Sequence, residues 1–173
     1  MIHYGNVPEY RGEKSKSDRN LRLLKKAVAD QAGDPTLHGY LAREFIRQGA
    51  LEAADQTISE GWDAANKAYS IETPSHRPAV VQLASLRAFR ALARGDYDVT
   101  IDCEESLARW GVRHPNLCGM KGMALHRLAC ASPEGQRPGL LAAAAQALGE
   151  CLGMADEIFT DEVMPGITRW GGA

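Results

Sequence analysis

Residues 36–62 read TLHGYLAREFIRQGALEAADQTISEGW, and this stretch decides the fold. Leu37, Leu41 and Phe45 lie four residues apart, so they share one face of a helix. Gly49 follows them at a place where helices typically end on glycine. A second apolar stripe then runs through Leu51, Ala54, Ile58, Trp62 and Ala65. The stretch predicts two antiparallel helices joined by a short turn.

The two predicted helices fit the register of a known repeat. The tetratricopeptide repeat is a helix pair of about 34 residues with characteristic small and large positions. The stretch resembles this repeat when Gly49 is placed at position 15. The matching residues are Leu41 at position 7, Ala42 at 8, Phe45 at 11, Leu51 at 17, Ala54 at 20, Ile58 at 24 and Gly61 at 27. The resemblance implies an all-α, tetratricopeptide-like antiparallel helix-pair solenoid.

Two further copies of the repeat are degenerate. Gly95 anchors the second copy, in which Arg87 takes the usual leucine position and Glu104 the usual aromatic position. Gly122 anchors the third copy, and the segment 132–139 interrupts it before its second helix. Three copies and a leading helix suffice for a continuous core. The alternative is an irregular helical bundle without superhelical stacking.

The remaining segments complete a chain of about seven helices. The leading helix is predicted to begin at Ser17 as its N-cap, with Leu21 and Leu24 on its apolar face. The last helix is predicted to carry a stripe of Leu141, Ala144, Leu148 and Leu152. Prolines and polar residues predict loops over 70–78 and 132–139. The predicted division is an extended strip and linker over 1–16, a helical repeat domain over 17–158 and a tail over 159–173.

The composition excludes several classes of protein. The chain has 173 residues, 45% of them hydrophobic and 24% charged, with a net charge of −2. This is typical of one globular domain and gives no basic footprint for a nucleic acid. No apolar run is long enough to cross a membrane, and the N-terminus lacks a signal-peptide pattern. We therefore expect a cytoplasmic protein with reduced cysteines and with neither nucleic acid nor membrane as its partner.

The sequence also lacks the motifs of enzymes. The five histidines and four cysteines do not form the spacings of a zinc site, and no nucleophile elbow or phosphate-binding glycine loop occurs. Asp96-Tyr97-Asp98 falls in a predicted turn, where aspartate is favoured as a helix cap. The sequence therefore predicts a chain without catalytic, metal-binding or cofactor-binding residues.

One charged stretch stands out near the N-terminus. Residues 11–26 contain seven lysines and arginines against two acidic residues. Such a stretch can contact phosphates, an anionic lipid surface or an acidic partner. The alternative is a solvated helix face beside a missing domain, and the sequence favours this alternative.

The N-terminal third resembles a junction in bacterial family-two glycosyltransferases that carry tetratricopeptide repeats. The resemblance lies in His3-Tyr4-Gly5, Glu13-Lys14, Arg19-Asn20-Leu21-Arg22-Leu23-Leu24 and Asp34-Pro35, in that order. It implies the C-terminal module of such an enzyme, without its nucleotide-sugar domain. This module would position an acceptor or partner for the catalytic half. The alternatives are a part that acts with a separately supplied catalytic domain, or a free-standing adaptor.

The concave groove of a repeat solenoid is its usual binding surface. In tetratricopeptide repeats, positions 2, 5, 9, 12 and 13 of the first helix usually face it. The resemblance gives these groove residues: Thr36, Arg43, Arg47, Gln82, Phe89, Asn116, His126 and Arg127. The arginines suit a carboxylate or phosphate, although all eight can also be ordinary exposed positions. The predicted partners are a protein or peptide in the groove, a glycosyltransferase catalytic domain, and a second copy bound through the strip 1–10, with Ile2 and Tyr4 buried.

Overall fold

Seven α-helices make up the computed structural model, which describes residues 13–68 and 77–154. The helices are α1 (Glu13–Asp30), α2 (Pro35–Arg47), α3 (Leu51–Ala68), α4 (Arg77–Arg94), α5 (Tyr97–Arg109), α6 (Pro115–Ala131) and α7 (Arg137–Gly153). These two ranges contain no strand, which confirms the all-α prediction. Of the predicted strip and linker 1–16, residues 1–12 lie outside the described residues, and residues 13–16 belong to α1 instead. The predicted tail 159–173 also lies outside the described residues. The predicted N-cap at Ser17 is wrong, because α1 already begins at Glu13.

Three glycines end helices in the same way. Gly49, Gly95 and Gly111 have φ angles of 77°, 82° and 70°, in the left-handed region. In each case the next residue donates its N–H to a carbonyl five residues earlier, as Ala50 does to Phe45 at 2.9 Å. This bond satisfies a carbonyl that the helix end would leave without a partner. The turns predicted at Gly49 and Gly95 are therefore confirmed, and Gly111 ends α5 in the same way.

Within the described ranges, four prolines stand in the first turn of a helix. Pro35 and Pro115 are the first residues of α2 and α6, and Pro78 and Pro138 are the second residues of α4 and α7. Proline is favoured there because the first helical N–H groups have no intrahelical acceptor. The loops predicted over 70–78 and 132–139 therefore extend too far, since α4 starts at Arg77 and α7 at Arg137.

The helices pack in chain order, and alternate helices also meet. Each of the seven contacts the next, while α2 also contacts α4 and α4 contacts α6. The largest core cluster joins α3, α4, α5 and α6 through Trp62, Leu83, Leu107, Leu117 and Met120. A second cluster around Leu41 and Phe45 receives the apolar face of α1. The order of contacts aligns α2, α4 and α6 as neighbours.

The last helix buries only part of the apolar stripe predicted for it. Ala144 and Ala147 of α7 are buried, whereas Leu141, Leu148 and Leu152 are 46%, 40% and 70% exposed. A methyl group built on Gly122 of α6 would lie 3.3 Å from the Ala144 carbonyl oxygen and 2.6 Å from Leu148. The absence of a side chain on Gly122 lets α7 approach closely, and Leu148 packs beside this glycine although it is partly exposed, whereas Leu141 and Leu152 lie more toward the solvent.

None of the helices in the described ranges is long and apolar enough to span a bilayer.

Candidate functional site

The predicted groove residues lie on α2, α4 and α6, but they differ in exposure. Arg47, Phe89, His126 and Arg127 are exposed, and Thr36, Arg43 and Gln82 are partly buried. Thr36 lies in the first turn of α2, where the Asp34 carboxylate caps the helix by accepting the backbone N–H of Thr36 at 2.8 Å. The exposed members belong to the C-terminal halves of their helices.

Asn116 is a wrong assignment among the groove residues. Its side chain is fully buried at the start of α6, so it cannot line an open surface. At the same repeat position of α4, Gln82 packs on α2, and its Oε1 atom would lie only 2.9 Å from a methyl group on Gly39. At this repeat position, near the N-terminal ends of the helices, the surface is thus covered by packing between helices.

Met123 was missed by the sequence assignment. It is 42% exposed on α6, and it occupies the repeat position that Arg43 has in α2 and Phe89 has in α4. Phe89 is itself 40% exposed. The repeat register would have identified Met123, since it lies one residue after Gly122. Arg43, Phe89 and Met123 thus form one row across α2, α4 and α6, the first helices (A helices) of the three predicted pairs. We call this row and the basic residues beside it the A-helix face: Arg43, Arg47, Phe89, Met123, His126 and Arg127.

A cleft of about 490 Å³ lies between α1 and α2, and we call it the α1–α2 cleft. It is lined by Asn20, Leu23 and Leu24 of α1 and by Tyr40, Arg43, Glu44 and Arg47 of α2. Arg47 holds Glu44 with two bonds, Nε to Oε2 at 3.2 Å and Nη2 to Oε1 at 2.6 Å. Arg43 and Arg47 therefore belong to both the A-helix face and this cleft. Leu23 and Tyr40 belong to the cleft alone.

The unusual Arg87 of the second repeat has an aromatic partner. Its guanidinium carbon lies 5.3 Å from the centre of the Trp62 ring, in the geometry of a cation–π contact. The Trp62 ring also packs on Trp110, with ring centres 5.8 Å apart. Arg87 lies within 3.7 Å of Asp102 as well. Through these contacts Arg87 of α4 links α3 and α5 and stabilises the packing of helices.

The unusual Glu104 is the centre of a buried ion network. Its side chain is 4% exposed and accepts bonds from Arg113 at 2.9 Å and Lys121 at 2.8 Å, while Arg113 also binds Glu150 at 2.7 Å. Glu104, Cys118 and Glu150 offer three ligand atoms within 4.8 Å of one another. Because two cations already neutralise these carboxylates, the group is suited to linking α5, α6 and α7 rather than to holding a metal ion.

The cysteines have different environments. Burial raises the pKa of Cys103 to about 12, and burial together with the charge of Glu104 raises the pKa of Cys118 to about 11. Burial also raises the pKa of Cys151, while Cys130 is exposed on α6. A thiol with a raised pKa is a poor nucleophile at neutral pH. The buried cysteines are therefore suited to packing and not to catalysis.

Comparison of the chain with protein-family models, curated proteins and solved structures gives no match.

Proposed function

We propose that this chain is a non-catalytic protein-interaction scaffold of the tetratricopeptide type, which binds a peptide on its A-helix face. The observation that carries the proposal is the exposure of Phe89 and Met123, at matching positions of the neighbouring helices α4 and α6. Adjacent exposed apolar side chains on a stable surface are typical of a protein-binding site. The corresponding position of α2 holds Arg43, so the row has apolar residues on α4 and α6 and a basic residue on α2.

The packing of the helices supports the tetratricopeptide arrangement. In the first helix pair, Ala42 and Ala54 are fully buried at the repeat positions where small residues are required. In the second pair, Ala88 and Thr100 are fully buried at the same positions. Contacts of α2 with α4, and of α4 with α6, are what stacked helix pairs need for a common inner surface.

The chemistry of the A-helix face favours a peptide with apolar side chains flanked by acidic groups. Phe89 and Met123 provide the apolar part, and methionine adapts to irregular partners. Arg47 and Arg127 are exposed on the two outer helices of the row. Guanidinium groups bind carboxylates with two parallel hydrogen bonds, which would fix the orientation of the peptide.

A peptide-display selection on the full chain tests this function. Peptides are selected from a random library, and the affinity of the best one is measured by calorimetry. Phe89→Ser and Met123→Ser should each lower that affinity by about tenfold, as expected for apolar residues central to an interface. Leu141→Ser is the matched control, because Leu141 is 46% exposed on α7. A selection without binders, or equal losses in the control, would refute the scaffold.

The resemblance to family-two glycosyltransferases supports a finer proposal, in which the scaffold positions an acceptor or partner for a catalytic domain. Its support is the order of the motifs between His3 and Pro35. A thermal-shift measurement with nucleotide sugars distinguishes a scaffold that only positions a partner from a chain that takes part in glycosyl transfer. The scaffold should not be stabilised by UDP-sugars. Stabilisation would instead favour a chain that participates in glycosyl transfer with a separately supplied catalytic domain.

A further inference from the structure

The α1–α2 cleft combines exposed apolar side chains from two helices. Leu23 of α1 is 56% exposed and Tyr40 of α2 is 45% exposed, and both line the cleft. The apolar face of α1 is formed by Leu21, Leu24 and Val28, which pack on the core. Leu23 therefore lies outside the stripe that holds α1 in place. Its exposure beside a second large side chain is a property of the surface and not of the core.

Positive charge surrounds these apolar groups. Arg43 and Arg47 line the cleft from α2, and Arg47 remains 57% exposed while it pairs with Glu44. On α1, Arg19 and Lys26 are exposed and stand four residues before and three residues after Leu23, which places them beside it on the helix. The lining acid Glu44 is held by Arg47 and by Gln48. This surface is thus basic on a chain whose net charge is −2.

We propose that the α1–α2 cleft binds an acidic peptide segment that inserts an aromatic or branched apolar side chain between Leu23 and Tyr40. Its volume of about 490 Å³ is sufficient for one or two large side chains. Carboxylates on either side of the inserted residue would pair with the exposed cations of α1, and they would add to the contacts that the arginines of α2 already make. Charge complementarity identifies the partner as acidic, and the exposed pair identifies the inserted group as apolar.

This site is separate from the central row of the A-helix face. Leu23 and Tyr40 do not belong to that face, and Phe89 and Met123 do not line the cleft. Only Arg43 and Arg47 are shared. The proposal accepts the function of the chain as an interaction scaffold and adds a second surface with its own ligand chemistry. Substitutions of the unshared residues therefore test the two surfaces independently.

The sequence itself contains a suitable probe. Residues 155–164 read ADEIFTDEVM, with four acidic residues around two pairs of apolar ones. A labelled synthetic peptide of this sequence is titrated with the full chain, and binding is followed by fluorescence anisotropy. The full chain carries Asp156→Asn, Glu157→Gln, Asp161→Asn and Glu162→Gln, so that its own segment does not compete. A peptide with the same four replacements is the control for charge.

The acidic peptide should bind, and the neutral peptide should bind at least about tenfold more weakly. Binding should also weaken strongly at about 1 M salt, where the screening length falls to about 3 Å. Leu23→Ser and Tyr40→Ser should each lower the affinity by about tenfold, as expected for central interface residues. Leu152→Ser, at a leucine 70% exposed on α7, should leave it unchanged.

Three results would overturn the proposal: no binding of the acidic peptide, equal binding of the neutral peptide, or an affinity that Leu23→Ser and Tyr40→Ser leave unchanged. Weaker binding to the unmodified chain would support it, because the chain's own acidic segment would then be competing for the cleft. If Phe89→Ser abolishes binding and Leu23→Ser does not, the peptide occupies the A-helix face. That result would reject the cleft and leave the proposed scaffold function intact.

Discussion

The ammonium group of Lys121 on α6 lies 2.8 Å from Oε2 of Glu104 on α5, whose side chain is 4% exposed. In the repeat register predicted from the sequence, the carboxylate takes a position at which an aromatic residue is usual. Burial alone would lower the pKa of Lys121, but the hydrogen bond and charge of Glu104, with those of Glu105, raise it. Lys121 therefore keeps its charge, and its bond to Glu104 links two helices at a position where apolar packing was predicted.

Removal of this lysine should destabilise the fold. Lys121→Met keeps a side chain of similar size but leaves Oε2 of Glu104 buried without that cation. We expect a loss of about 1–3 kcal/mol in the free energy of unfolding, measured by urea denaturation. Lys67→Met is the control, because Lys67 is exposed on α3. An equal effect of the two substitutions would show that the buried pair contributes nothing.

A second ion network should make the stability of the fold depend on pH in the acidic range. Asp55 of α3 accepts bonds from Nε and Nη2 of Arg90 at 2.8 and 3.0 Å. These bonds, with the charges of Arg90 and Arg94, outweigh burial and lower the pKa of Asp55 below its usual 3.8. A lowered folded-state pKa gives stability that is complete above the unfolded pKa and is lost as the pH falls through the folded value.

Thermal melts between pH 5 and pH 2 would measure this contribution. The unmodified chain should lose stability below about pH 4 more steeply than Asp55→Asn, which lacks the titrating group. Asp63→Asn, at an exposed position of the same helix, should behave as the unmodified chain does. Parallel curves for the unmodified chain and Asp55→Asn would contradict the role of the pair.

Much of the helical architecture was predictable, because the repeat spacing and the glycine turns are local signals. Gly49 and Gly95 each end a helix where the sequence predicted a turn. The errors arose where one residue type is compatible with two kinds of local structure. Pro78 and Pro138 were interpreted as loop residues, although proline also suits the first turn of a helix. On α7 the predicted apolar stripe was right for Ala144, which is buried, and wrong for Leu141 and Leu152, which are 46% and 70% exposed.

The candidate site was less predictable, because exposure depends on contacts between helices that are distant in sequence. Asn116 was assigned to the groove by its repeat position, and its complete burial follows from the packing around α6. Arg87 and Glu104 were recognised as departures from the repeat. Their partners Trp62 and Lys121 are far away in the sequence, so no local pattern could identify them.

The close approach of α2, α3 and α4 should make Gly61 intolerant of substitution. A methyl group on Gly61 would lie 2.5 Å from Cβ of His38 and 3.0 Å from Leu83, so Gly61→Ala requires the helices to move apart. We expect a loss of about 1–3 kcal/mol in the free energy of unfolding. Gly149→Ala is the matched control, since a methyl group there meets nothing within 4 Å. It should instead stabilise its helix by about 0.5–1 kcal/mol.

The cysteines should differ in reactivity without contributing to binding. At pH 8 an alkylating reagent should modify exposed Cys130 first, because the reactive species is the thiolate and access is needed. Cys103 and Cys118, with pKa values raised to about 12 and about 11 by burial, should react only after unfolding. Mass spectrometry of tryptic peptides before and after denaturation would measure the order.

Replacement of all four cysteines by alanine should lower the melting temperature and leave the affinity for a selected peptide unchanged, since none of them belongs to the A-helix face. A loss of affinity at an unchanged melting temperature would instead assign the cysteines to the binding site.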